Sequence, residues 1–324
     1  MRSMYTYIEQ APAIARDIIA HREALVGPLV EQFCGMAPKR LLIVASGSSY
    51  DIAMSMRPFM QQTLGIEVSV EWPMSYILYN HAQNDETFVL CMSQSGRSTN
   101  TIEAVRRAQA CGHHVAVLTC NPDAPMREYC EHVYAYVSGT EDYYVAKGFP
   151  TSCIYLALFA IEAARALDVR GADDCAALLS DVSAVVEDMD GVYRAARSFA
   201  EKHLDAFVDA RRIMCVGIGA GYGVALEGAL KLNEMIGVAA NAYEMEEFVH
   251  GPTYEIRRGH VVVLVDLGGP GHERMIQLYR ALHVLTDEVY VIDAAGEEPA
   301  QSDERTFGLK PLTGCELDAP RAVI

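Results

Sequence analysis

Arg40-Leu41-Leu42-Ile43-Val44-Ala45-Ser46-Gly47-Ser48-Ser49-Tyr50 lies over Arg212-Ile213-Met214-Cys215-Val216-Gly217-Ile218-Gly219-Ala220-Gly221-Tyr222 at a constant offset of 172 residues. Gly47 falls on Gly219, Tyr50 on Tyr222 and Gly65 on Gly237. The apolar run Phe88–Met92 falls on His260–Leu264 at the same offset, and Val115–Thr119 matches Val289–Asp293 after a slip of two. A register held across about 50 residues argues for duplication of one structural unit.

Each copy reads as a short apolar run, a Gly/Ser turn, an amphipathic helix and another apolar run. In the first unit the pattern predicts strands near 40–45, 67–71, 87–92, 114–119 and 132–137, with helices near 49–64 and 98–111. In the second it predicts strands near 212–217, 238–243, 260–266 and 288–293, with helices near 221–236 and 271–285. Helices near 5–24 and 149–206 lead in and join the units. Continuous apolar runs bounded by turns mark strands buried on both faces, and strand–helix alternation marks right-handed crossovers onto a parallel sheet. The expectation is an α/β protein of two tandem units, 1–190 and 191–324, each a three-layer αβα arrangement of flavodoxin type. No Pro/Gly linker interrupts 190–208, which predicts halves that pack together. Ligands of open parallel sheets bind at the carboxyl ends of strands, so the loops of interest are 45–50, 92–101, 138–148, 217–223 and 243–252.

The bulk properties agree with that frame. A chain of 324 residues suits two domains of roughly 150 residues each. Its composition, 51% hydrophobic and 21% charged, is that of a packed globular protein and not a disordered one. The formal net charge of −17 repels nucleic acid and anionic membrane, leaving small anions to a local site of backbone N–H groups and hydroxyls. Cysteines at 34, 91, 111, 120, 130, 153, 175, 215 and 315 form no C-x-x-C pair, and several sit in apolar runs. That pattern predicts buried thiols in a reducing compartment and no zinc site. With neither an apolar signal core at the N-terminus nor an apolar run of about 18 residues, a cytoplasmic location is expected.

Met92-Ser93-Gln94-Ser95-Gly96-Arg97-Ser98-Thr99-Asn100-Thr101 follows a buried strand and opens a helix. Hydroxyls at 93, 95, 98, 99 and 101 surround a turn glycine. A helix N-terminus offers unpaired N–H groups and the positive end of the helix dipole, so the stretch reads as a phosphate cradle. The plainer alternative is that Ser98 merely caps the helix. Ser46-Gly47-Ser48-Ser49 reads equally as part of the same pocket or as a turn with a cap. In the second unit Val265-Asp266-Leu267-Gly268 replaces Ser93-Gln94-Ser95-Gly96, and Asp266 would repel a phosphate. Gly217-x-Gly219-x-Gly221 invites a dinucleotide reading, but the third glycine of that motif is replaced by Tyr222 or Val224 and no acidic residue ends the next strand as read.

Glu227, Lys231 and Glu234 share one face of the helix 221–236. Glu227 and Lys231 read as a solvated salt-bridge row. Glu234, beside Met235-Ile236-Gly237 at the helix end, reads as a partly buried carboxylate suited to proton transfer. In Met245-Glu246-Glu247-Phe248-Val249-His250-Gly251-Pro252 a histidine follows two carboxylates able to orient its ring and precedes a Gly-Pro turn. An isolated structural histidine is the alternative.

Together these segments resemble the double sugar-isomerase (SIS) domain family, whose members include the isomerase half of glucosamine-6-phosphate synthase, fructosamine-6-phosphate deglycases and amino-sugar-phosphate deaminases. Ser93-Gln94-Ser95-Gly96-x-Ser98-x-x-Thr101 is similar to the family's S-Q-S-G-x-[ST] loop. Leu226-Glu227-Gly228-Ala229-Leu230-Lys231-Leu232-Asn233-Glu234 is similar to its E-G-A-L-K-L-K-E helix. Ala242-Tyr243 through Glu247-Phe248-Val249-His250-Gly251-Pro252 is similar to its A-Y-x-x-x-E-L-x-H-G-P segment, and Val145-Ala146-Lys147-Gly148-Phe149 resembles a shortened V-A-S-T-K-x-F loop. The resemblance implies two tandem SIS domains. Ser48, Ser93, Gln94, Ser95 and Ser98 would hold a sugar phosphate, Glu234 would move the C1/C2 proton, and His250, supplied by the partner subunit of a homodimer, would assist ring opening or protonate a leaving group. Ser49, Lys147, Lys231 and Glu247 are secondary candidates.

Two departures from the family pattern bear on the reaction. No glutamine-hydrolysing domain or N-terminal Cys nucleophile precedes the first unit, so synthesis from glutamine is not expected. Gly314-Cys315-Glu316-Leu317-Asp318-Ala319-Pro320-Arg321 resembles the family's G-T-D-x-D-x-P-R tail, but the lysine expected four residues after Arg321 lies beyond Ile324. The expected activity is therefore metal- and cofactor-free acid/base chemistry on a sugar 6-phosphate through an enediol or enaminol. C–N cleavage of a fructosamine 6-phosphate or amino sugar phosphate stands first; aldose–ketose isomerisation and non-catalytic sugar-phosphate binding are the alternatives.

Overall fold

Residues 4–295, apart from 122, 137 and 139–143, together with residues 304–309, are described by a computed structural model. The tail 314–321, Cys315 and part of the loop 138–148 lie outside the described residues. Contacts divide the chain between Glu187 and Asp188.

The first unit opens with helices α1 (Met4–Ile8), α2 (Ala11–Ala20) and α3 (Arg22–Met36), then alternates β1 (Arg40–Ala45), α4 (Ser48–Leu64), β2 (Glu67–Glu71), α5 (Pro73–Ser75), β3 (Thr87–Met92), α6 (Thr99–Ala110), β4 (His114–Thr119) and β5 (Val133–Ala135). It closes on α7 (Gly148–Ala166), and α8 (Ala172–Lys202) runs through the division. All neighbouring strands pair in parallel, in the order β2-β1-β3-β4-β5. The residues of β3 are buried throughout and those of β1 and β4 nearly so, as expected for strands covered on both faces. Helix α7 is apolar all round its circumference, and Thr151–Ala164 are buried under α2, α3 and α4.

The second unit contains α9 (Leu204–Val208), β6 (Arg212–Gly217), α10 (Ala220–Ile236), β7 (Ala240–Glu244), α11 (Met245–Val249), β8 (His260–Asp266), α12 (His272–Leu282), β9 (Val289–Asp293) and β10 (Thr306–Gly308). Its sheet runs β7-β6-β8-β9-β10, again parallel, which repeats the first sheet position for position. The glycines shared at the repeat offset have matching backbone roles. Gly47 and Gly219 precede α4 and α10 with φ of 56° and 58°; Gly65 and Gly237 end the same helices with φ of 66° and 67°. Residues with a Cβ avoid this left-handed region, so the duplicated sequence kept glycine where the backbone demands it.

Several expectations need correction. The lead-in is three helices and not one segment ending near 24; α3 continues through Pro28, because burial of Val26, Leu29 and Phe33 outweighs a breaker in a short helix. The stretch 149–206 is likewise divided among α7, α8 and α9. The fifth strand of the second sheet, β10, has three residues and too little pattern to be read. Strand β7 ends on an acidic residue, Glu244, but its Oε2 accepts the N–H groups of Glu246 and Glu247 and caps α11. The glycines after β6 serve close packing: a Cβ on Gly217 would stand 2.3 Å from the Gly221 carbonyl oxygen, and one on Gly221 would stand 3.0 Å from that of Val265.

The eight described cysteines are free, and burial raises the thiol of Cys215 to about 12. No described helix is long and apolar enough to cross a membrane. In the core of the first unit the Phe33 ring meets Phe88 and Phe159 edge-on, each at 5.2 Å between centroids. Phe33→Ala is expected to lower unfolding free energy by about 3–5 kcal/mol, measured by denaturant titration.

Candidate functional site

In a 2-1-3-4-5 sheet the crossover after β1 runs to one side and that after β3 to the other, so the loops after β1 and β3 part and open a crevice. A cavity of about 180 Å³ lies there, lined by Ser46, Ser48, Ser49, Met92, Ser93, Gln94, Ser95, Ser98 and Val145. All five expected phosphate ligands and the secondary candidate Ser49 therefore come together. The lining also includes Ser46, from the stretch that the sequence left open between pocket and turn, and Val145. The volume falls below the ~300 Å³ lower bound for drug-sized ligands and suits a head group.

None of these lining residues is charged, so the electrostatics rest on dipoles. Ser48 and Ser49 are the first residues of α4 and Ser98 is the N-cap of α6, so two helix N-termini face one cavity. Three of the hydroxyls accept a bond and keep their own proton, while Ser93 gives its proton to Ser98. Ser46 Oγ accepts a bond from Asn100 Nδ2 (3.0 Å), Ser95 Oγ from the Arg97 N–H (3.2 Å) and Ser98 Oγ from Ser93 Oγ (3.1 Å). A hydroxyl that already accepts still has its own proton to give, which favours an acceptor-rich anion. Gly96, with φ of 63°, turns the loop where a Cβ would lie 2.2 Å from the Ala124 Cβ.

Lys147 is not among the lining residues. It is buried at the start of α7, where its Nζ donates to Gln10 Oε1 (3.0 Å) and lies 5.1 Å from the centre of the Tyr7 ring.

In the second unit the helix row is the reverse of the expectation. Glu227 is buried, and Lys231 Nζ lies 3.4 Å from Glu227 Oε1 and 2.7 Å from Glu234 Oε2. Glu234 is the exposed member. Helix α10 packs Gly221, Ala225 and Ala229 on the sheet side, and Glu227, on another face of the helix, is buried as well, whereas Glu234 stands in the last turn. His250 ends α11, and both it and Glu247 are exposed. Glu246 does not orient the His250 ring: its two carboxylate oxygens accept from Arg274 Nε (2.5 Å) and Nη2 (3.1 Å), and the guanidinium holds it below the usual carboxylate range.

The loop after β8 is satisfied internally. Asp266 Oδ1 accepts the Gly268 N–H at 3.0 Å, and Oδ2 lies 2.8 Å from His272 Nδ1. Among the described residues no cluster of three His, Cys, Asp or Glu side chains is placed to hold a metal ion. Asp293 pairs in register with Asp266, and burial, with Asp266 adding to it, raises its carboxyl above the usual range against the Ala295 N–H and His272. A raised folded-state value means that stability is full below the unfolded value near ~3.9 and is lost as pH rises through the folded one. Asp293→Asn is therefore expected to melt above the wild type at neutral pH, with the gap closing at acid pH, in melting curves across that range.

A protein-family model described as SIS domain matches residues 37–166 and 206–305. Over 309 residues the chain is 25% identical to a glutamine–fructose-6-phosphate aminotransferase (isomerizing) from Methanothermobacter thermautotrophicus, covering 95% of this chain and 50% of that protein. The chain spans about half the length of the curated relatives it matches. Among solved structures, the C-terminal domain of glucosamine-fructose-6-phosphate aminotransferase from Francisella tularensis superposes with a TM-score of 0.87 at 20% identity, covering 99% of this chain and 91% of that one. A glucosamine-6-phosphate deaminase from Thermotoga maritima gives 0.73 at 18%, covering 99% and 92%. At these identities the superpositions establish the fold alone. The family match spans well over half of the chain, and the protein belongs to the SIS domain family.

Proposed function

We propose that this chain acts on a sugar 6-phosphate by acid/base chemistry, cleaving the C–N bond of a fructosamine 6-phosphate or amino sugar phosphate. The observation that carries the reading is the serine-lined cavity of the first unit, uncharged and faced by two helix N-termini. A phosphate monoester fits such donors, and its sugar extends beyond a cavity of this size. In the proposal Ser93, Ser95, Ser98 and Ser48 hold the phosphate. Glu234 moves the proton between C1 and C2 to give an imine, a water molecule adds at that carbon to leave the carbonyl, and His250, from the partner subunit of a homodimer, protonates the departing amine. Exposure of Glu234 and His250 in the isolated chain is compatible with groups that meet a substrate and a second subunit. Lys231, bonded to Glu234, fixes that carboxylate's orientation. These steps are carried by the chain's own side chains.

A second reading is aldose–ketose isomerisation, favoured by the isomerising activity named for the relative from Methanothermobacter. The same proton transfer serves both, through an enediol without nitrogen at the reacting carbon and an enaminol with it.

Incubation with fructose 6-phosphate, glucosamine 6-phosphate and fructosamine 6-phosphates, following sugar products and released ammonia or amine, separates the two. Glu234→Gln is expected to abolish turnover while binding persists; full activity would remove Glu234 from the mechanism. Ser95→Ala is expected to weaken sugar-phosphate binding roughly tenfold, the ~1.4 kcal/mol of one charge-assisted hydrogen bond at the low end. Unchanged affinity would speak against the cradle. Refolding a mixture of the inactive Glu234→Gln and His250→Ala variants restores activity only if the two residues of one site come from different subunits.

A further inference from the structure

The Gln94 side chain sits in the middle of the serine loop, yet its hydrogen-bonding groups are occupied by the protein. Nε2 donates to the Gly148 carbonyl at 3.1 Å and to Ser152 Oγ at 2.9 Å, and Oε1 accepts from Cys120 Sγ at 3.3 Å. A carbonyl only accepts, so the Gly148 contact fixes which end of the amide carries the nitrogen. Both amide protons are then committed. The backbone of the same residue is held too: the Gln94 carbonyl accepts the Cys120 N–H at 3.0 Å and Thr119 Oγ1 at 3.1 Å. On the far side, Ser152 Oγ donates to the Gly148 carbonyl at 2.7 Å and meets the buried Tyr136 hydroxyl.

The partner segment is shaped for this contact. A Cβ on Gly148 would fall 2.1 Å from Gln94 Oε1 and 2.9 Å from Gln94 Cδ, so only glycine lets the amide reach the first turn of α7. Val145, three residues earlier, lines the cavity on that side.

We infer that Gln94 is a positioning residue and not a phosphate ligand: its carboxamide clamps the serine loop to the Gly148–Ser152 turn and so holds Ser93 and Ser95 in place for an anionic head group. The inference rests on the proposed reading of the cavity as a phosphate site. It predicts that Gly148, which reaches a ligand by no side chain, matters to binding as much as Gln94 does.

The test is a double-mutant cycle on the full chain, with fructose 6-phosphate as the probe in isothermal titration calorimetry and melting temperature recorded alongside. Gln94→Ala and Gly148→Ala are each expected to weaken binding about tenfold, or ~1.4 kcal/mol. The double variant is expected to be no weaker than either single one, because the new methyl enters space the amide has left. Additive losses, or a silent Gly148→Ala beside a damaging Gln94→Ala, would mean that Gln94 touches the phosphate directly and would overturn the clamp. Hydrogen exchange without ligand gives an independent readout: Gln94→Ala should speed exchange of the amides in 145–152. Unchanged exchange there refutes the clamp whatever the binding data show. If the wild type does not bind fructose 6-phosphate while exchange still rises, the cavity reading fails and the clamp survives as a loop anchor alone.

Discussion

In each sheet of this protein the first strand pairs in parallel with both the second and the third, and the site follows from that constraint. Parallel pairing needs a helical crossover, and crossovers leaving two adjacent strands toward opposite sides separate the loops at their carboxyl ends. In the first unit that separation is occupied by Ser46, Ser48 and Ser49 after β1 and by Ser93, Ser95 and Ser98 after β3. The helices that must follow the two strands bring their N-termini with them. An acidic chain can thus present donors to an anion locally without placing a cation in the cavity, whose lining consists of serines, glutamine, methionine and valine.

The second unit has the same topology without that outcome. At the end of β6 stand glycines that allow close helix–strand contact, and β8 ends on Asp266, bound to Gly268 and His272. One carboxylate satisfied by its own loop replaces a set of hydroxyls with protons to give. Duplication preserved the positions where backbone geometry is restrictive, Gly47 with Gly219 and Gly65 with Gly237, while the side chains at the strand ends diverged. Chemistry at the mouth of a sheet is free to change because the sheet does not depend on it.

The carboxylates of α10 show how burial redistributes roles that spacing assigns equally. Glu227, Lys231 and Glu234 share one helical face, but burial differs along it. Glu227 is covered and held close to Lys231, while Glu234 remains open at the end of the helix with the same lysine beside it. A buried acid needs such a partner, since an isolated charge away from water is costly. The lysine thus stands between an interior acid and an exposed one, an arrangement suited to keeping the outer carboxylate oriented.

What the sequence determined by itself was whatever is periodic or steric. The strands at 40–45, 87–92 and 114–119, the helices α4, α6 and α10, the duplication and the serine loop all follow from apolar runs, turn residues and an offset of 172. The tertiary structure decided what depends on neighbours distant along the chain. It carried α3 through Pro28, covered Glu227 instead of Glu234, turned Glu246 to Arg274, and tied the Gln94 amide to Gly148 and Ser152, more than 50 residues away. Local pattern fixes which face of an element is apolar and where the backbone must turn. Which polar group is buried, and which partner it takes, is settled only when separate elements close upon one another, because desolvation and hydrogen bonding depend on atoms that the sequence does not place side by side.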